Sequence, residues 1–86
     1  MNKQNEQLRT ALMEAILEYI EGYRTFRSVL TLGVNAHNLR PPNNPTLAAV
    51  IYQLNSIANN ISNGKAYSRE NIKEIFTTML EILTKD

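Results

Sequence analysis

Few side chains in this sequence have the types and spacing that do chemistry. Glu14 and Glu18 stand four residues apart, so a helix would carry both carboxylates on one face, one turn apart. A two-carboxylate metal site uses that spacing. Neither residue belongs to an E-x-x-H pair, however, and Glu21 extends the row, which is the pattern of a solvated acidic face. His37 is the sole histidine, flanked by Asn35 and Asn38, and no partner for a general base is evident. There is no cysteine, which excludes disulfides and thiolate zinc sites. Neither a Gly-rich phosphate loop nor a G-x-S-x-G elbow occurs. The expectation is a protein with no catalytic residue, no metal and no cofactor.

Basic side chains offer a second kind of chemistry. Lys65, Arg69 and Lys73 cluster around ISNGKAYSRENIKEIF, residues 61–76, where one apolar pattern stops and another begins. Two helices with a short Gly-containing turn suggest helix-turn-helix DNA binding. But Glu70, Glu74 and Glu81 share the segment, the turn exceeds the usual three to four residues or so, and a basic recognition surface is not sustained. Turn-to-turn Glu/Lys pairing on a wet face accounts for the same residues. Arg24, Arg27 and Arg40 likewise make the second quarter basic beside an acidic first quarter. Pairing between neighbouring helices outweighs a patch facing anionic lipid or an acidic partner. Tyr67, just before Ser68, either staples onto Ile72 or serves as an exposed interface anchor beside Lys65.

The elements that must position these residues are helical throughout. Leu8, Leu12, Ala15, Ile16, Tyr19 and Ile20 recur at three- and four-residue steps and define one stripe. Gly22 interrupts it, and Tyr23, Phe26, Val29, Leu30 and Val34 form a second. A single helix over 3–32 would run about 45 Å at ~1.5 Å per residue, too long to match later helices of about 25 Å. A break near Gly22 is therefore expected. Gly33 weakens the second helix near its end, by about 1 kcal/mol relative to alanine.

LRPPNNP, residues 39–45, is the clearest loop. Asn44-Pro45 reads as an N-cap followed by proline at the first helical position. Leu47, Val50, Ile51, Leu54, Ile57, Ala58 and Ile61 make the strongest stripe, and Asn63-Gly64 ends it. Ser68 caps a fourth helix whose stripe is Ile72, Ile75, Phe76, Met79, Ile82 and Leu83. The expected fold is all-α: one domain over 1–86, an antiparallel up-down four-helix bundle with helices at about 3–21, 24–38, 45–62 and 69–84.

Composition agrees. A chain of 86 residues buries roughly 60–65% of its unfolded surface, enough for one core. The formal charge is +1, which provides no electrostatic drive towards nucleic acid or an anionic membrane. The N-terminal residues lack an apolar signal core, and no run approaches the ~20 apolar residues that span a bilayer. A soluble, cytoplasmic, monomeric protein is expected.

The order NPTLAAVIYQLNSIANNISNGKAYSRENIKEIFTTMLEIL combines several features. These are an Asn-Pro helix start, an apolar helix, a Gly-Lys turn, an aromatic, a Ser N-cap and a Leu/Ile-rich last helix. This resembles the C-terminal half of the immunity proteins of pediocin-like bacteriocins, of the enterocin A and mundticin type. FRSVLTLGVNAHNLRPP fits their second helix and following loop. The similarity is clearest over residues 44–83.

The resemblance implies a small cytosolic four-helix bundle that protects a lactic acid bacterium from its own bacteriocin. Such proteins act at the inner face of the membrane, on the mannose phosphotransferase permease once bacteriocin has bound it. Specificity in the family lies in the C-terminal half. Carried onto this chain, the partner-binding residues are Asn63, Gly64, Lys65, Ala66 and Tyr67, with Arg69 and Lys73 beside them. Family members also carry a tail that packs back on the bundle, whereas here the sequence stops at Lys85-Asp86. The competing expectations are a phage- or plasmid-borne helical adaptor or inhibitor and, behind it, a DNA-binding regulator.

Overall fold

The computed structural model describes residues 3–39 and 42–85; Arg40 lies outside the described residues. Four helices follow one another: α1 (Lys3–Ile20), α2 (Phe26–Leu39), α3 (Pro45–Ser62) and α4 (Arg69–Lys85). Each packs on its neighbours in sequence, and α4 closes against α1, which gives an up-down four-helix bundle. The radius of gyration, 12.1 Å, matches the roughly 12 Å expected of a tightly folded chain of this length.

The apolar stripes converge on one core. Leu12, Ala15 and Ile16 of α1 and Val29 and Leu30 of α2 meet Leu47, Val50, Ile51, Leu54 and Ile57 of α3. Ile72, Phe76, Met79 and Leu83 supply the α4 side. The stripes are broader than the core they enclose: Ile75 is half-buried against it, and Ile61 and Ile82 lie at its exposed edge. Tyr23 is a plain correction, since it stands 84% exposed rather than on the inner face of α2. The helical period that would have turned it inwards resets at Gly22.

Two joints at one end of the bundle use the same device. Gly22 adopts φ +90°, with its N–H donating to the Tyr19 carbonyl (3.0 Å) and the Tyr23 N–H to that of Glu18 (2.8 Å). Gly64 adopts φ +94°, with its N–H donating to Ile61 (3.0 Å) and the Lys65 N–H to Asn60 (2.9 Å). These are Schellman closures, and their left-handed residue favours glycine. Each is followed by a hydroxyl N-cap. Thr25 Oγ1 accepts from the Ser28 N–H at 3.1 Å, and Ser68 Oγ accepts from the Asn71 N–H at 3.0 Å. Each joint thus pairs some of the groups left open at the end of one helix and at the start of the next.

Gly33 has a different role from the weakening expected of it. It is buried, and a Cβ built there would lie 2.6 Å from Leu54 Cβ and 2.7 Å from Leu54 Cδ1. The bare backbone of α2 is what lets α3 approach.

The opposite end is tied by polar contacts. Asn5, 7% exposed, donates from Nδ2 to Asn43 Oδ1 at 2.9 Å. Arg9 reaches from α1 to the end of α4, where Nη1 donates to the Leu83 carbonyl at 3.1 Å. That carbonyl is one of the four a helix C-terminus leaves unpaired, and a cation there also suits the dipole. The neighbouring Arg9 Nε is buried without an acceptor, which offsets part of the gain. Arg9→Ala is expected to lower stability by about 1–2 kcal/mol. Arg9→Met, which keeps the apolar stem and removes the orphan donor, should lower it by less than half that. Urea midpoints of the two variants check the difference.

Candidate functional surface at the two-joint end

The residues singled out from the sequence fall into two groups at this end. Asn63 is the C-cap of α3, donating its N–H to the Asn59 and Asn60 carbonyls (3.0 and 3.1 Å). Asn63, Gly64, Lys65 and Ala66 are all exposed. Tyr67 is half-buried against the core and accepts a hydrogen bond at its hydroxyl from Asn60 Nδ2 (2.8 Å). Lys65 Nζ sits 5.0 Å from the Tyr67 ring centroid, a cation–π contact worth ~0.5–1 kcal/mol at an exposed site. Tyr67 thus holds the joint from both sides: α3 fixes its tip, and the joint's own lysine covers its face.

Arg69 and Lys73 form the second group. They lie one turn apart on α4, both exposed, and neither is in an ion pair among the described residues. They line a cleft of about 600 Å³ whose other wall is the α1–α2 joint: Ile20, Gly22, Tyr23, Arg24 and Thr25. Tyr19 and Phe26 form part of its lining. Behind them Phe76 is fully buried, with its ring centroid 5.3 Å from Tyr19 in an edge-on contact and 5.8 Å from Phe26. These separations are favourable for aromatic pairs. The aromatic triad sets the spacing between the two joints.

Arg24 is held from both sides. Its Nη2 and Nε lie 2.8 and 2.9 Å from Glu18 Oε1, and its Nη1 donates to Ser28 Oγ at 2.9 Å. Such a half-exposed pair adds ~0–1 kcal/mol to stability. Its larger effect is to fix the guanidinium at the cleft edge. A local pair across the α1–α2 joint, rather than the helix-to-helix pairing expected, accounts for Arg24, while Arg27 is exposed without an ion-pair partner among the described residues. Glu18 is engaged in this pair rather than grouped with Glu14. Among the described residues no three or more His, Asp or Glu side chains come together as metal ligands. His37 is half-buried in the last turn of α2.

Sequence reasoning found Arg69 and Lys73, and Arg24 only as part of a separate basic stretch; it did not place Tyr23 and Arg24 opposite them. No local pattern joins segments 45 to 50 residues apart. Asn60, the partner of Tyr67, was also missed, because its role depends on the joint folding back on α3.

Among the described residues no helix is long and apolar enough to cross a membrane. Comparison with protein-family models, curated proteins and solved structures finds no match.

Proposed function

We propose that this chain is an immunity protein of the pediocin-like bacteriocin type. It is a binding protein, not an enzyme, and it docks from the cytoplasmic side on the mannose phosphotransferase permease once bacteriocin is bound there. The α3–α4 joint, Asn63 to Tyr67, with Arg69 and Lys73, is the docking surface. The observation that carries the reading is the joint's design. Asn63, Gly64, Lys65 and Ala66 are exposed, and the Schellman closure, the Asn60–Tyr67 hydrogen bond and the Lys65–Tyr67 contact brace the joint on either side of them. An exposed loop braced in this way, beside two unpaired cations, suits recognition by contact. The resemblance over residues 44–83 supplies the identity of the partner.

The test is protection. The chain is expressed in a bacteriocin-sensitive lactic acid bacterium and challenged with a panel of pediocin-like peptides. A raised inhibitory concentration for one or a few peptides is the expected result. Lys65→Ala/Tyr67→Ala should abolish it while the protein stays helical. Full protection by that double variant would remove the joint from the mechanism. No protection by the folded wild-type chain against any peptide would remove the immunity reading.

A further inference from the structure

The cleft between the two joints reaches beyond the joint itself, because half of it is built by the α1–α2 turn. Its lining holds three cations, Arg24, Arg69 and Lys73, and no carboxylate. Glu18 neutralises Arg24 from the rim, so two positive charges remain uncompensated. Glu70 and Glu74 lie outside the lining although they share the first turns of α4, and so does Glu21 in the turn itself. Within the lining the charged side chains are therefore all basic.

Apart from Gly22 and Thr25 the rest of the lining is apolar or aromatic, and Tyr23 is 84% exposed. Exposed tyrosine and arginine together are the side chains that most often anchor protein interfaces. A bare phosphate would gain little from such walls. The third and fourth N–H groups of each helix start are also spent within the protein, those of Ser28 and Val29 on Thr25 and those of Asn71 and Ile72 on Ser68, which leaves fewer donors for the backbone cradle that phosphate sites use.

We propose that this cleft receives an acidic peptide segment of a protein partner. Its carboxylates are taken by Arg69 and Lys73, and an apolar side chain lies against Tyr23 and Phe26. Arg69 offers a planar fork suited to a carboxylate, and Lys73 a mobile point charge one turn along. The proposal rests on the chain being a binding protein, and not on bacteriocin protection.

The experiment is an amide chemical-shift titration of the full chain with four probes. These are a hexapeptide of alternating Asp, Glu and Leu, its Asn/Gln counterpart, inorganic phosphate, and vesicles of phosphatidylglycerol. The acidic peptide alone should give saturable shifts centred on Tyr23, Arg69 and Lys73. Arg69→Glu/Lys73→Glu should weaken it at least roughly tenfold, and Arg69→Gln/Lys73→Gln should do so in the same direction if the reversal perturbs folding. Lys85→Glu, which changes charge at the other end of α4, should leave it unaltered. Absence of saturable shifts with the acidic peptide overturns the proposal. So does equal response to the amide peptide, to phosphate or to the vesicles. Protection without peptide binding would remove the cleft and leave the immunity function; peptide binding without protection would do the reverse.

Discussion

Phe76→Ala is expected to remove a large part of the protein's stability and to lower its urea midpoint steeply. Phe76 is fully buried, and it is the largest of the fully buried side chains. Truncating a buried phenylalanine to alanine costs about 3–5 kcal/mol in transfer and cavity terms. A domain of this size has a total stability of roughly 4–13 kcal/mol. The loss is therefore a large part of the whole. Position adds to it, because Phe76 is the buried member of the triad with Tyr19 and Phe26. With it gone, the cavity opens behind Tyr19 and Phe26, which lose the ring they pack on. Phe76→Leu, which retains most of the volume, should cost clearly less. Urea denaturation followed by far-UV circular dichroism measures both. A midpoint for Phe76→Ala within error of the wild type would show that this end of the core is not packed as described.

Gly33→Ala sets two effects of known size against each other. In a helix interior the exchange is favourable by about 1 kcal/mol, through propensity. Here the added methyl would meet Leu54 Cβ at 2.6 Å. That atom is fixed to the α3 backbone, so a rotamer change cannot clear it, and the helices must part or the chain distort. Overpacking of this kind typically costs about 1–3 kcal/mol. The steric term wins, and the variant is expected to be less stable than the wild type by about 1–2 kcal/mol net. A stabilised Gly33→Ala would mean that α2 and α3 do not approach this closely.

These two residues mark what the sequence could and could not convey. Phe76 was legible because α4 keeps its apolar period from Ile72 to Leu83 without interruption, between a serine cap and the chain's last turn. The same holds for α3, whose start is written in Asn44-Pro45: the Asn44 Oδ1 accepts from the Leu47 N–H at 2.9 Å. Gly33 was read only as a local penalty. Its steric role depends on Leu54, twenty-one positions away, and propensity contains no term for a neighbouring helix.

The start of α2 shows a third case. Spacing alone put Tyr23 on the stripe, but a left-handed residue at Gly22 breaks the 3.6-residue period, and the helix restarts at Phe26 under the Thr25 cap. The candidate surface divides the same way. Lys65, Arg69 and Lys73 stood close together in sequence and were visible as a cluster. The wall that faces Arg69 and Lys73 comes from the other helical hairpin, and only the closing of α4 onto α1 brings it there.

The paired Schellman joints also bear on the thermodynamics of association. A loop that must order on binding gives up backbone entropy of about 1–2 kcal/mol for each residue fixed. Here the helix-end part of each turn, Gly22–Tyr23 and Gly64–Lys65, is already closed by hydrogen bonds, so that part of the loss has been met during folding. The long side chains of the cleft remain to be immobilised, at about 0.5–1.5 kcal/mol each. Complex formation should then proceed as the docking of a rigid body, with little heat-capacity change beyond that of the apolar area covered.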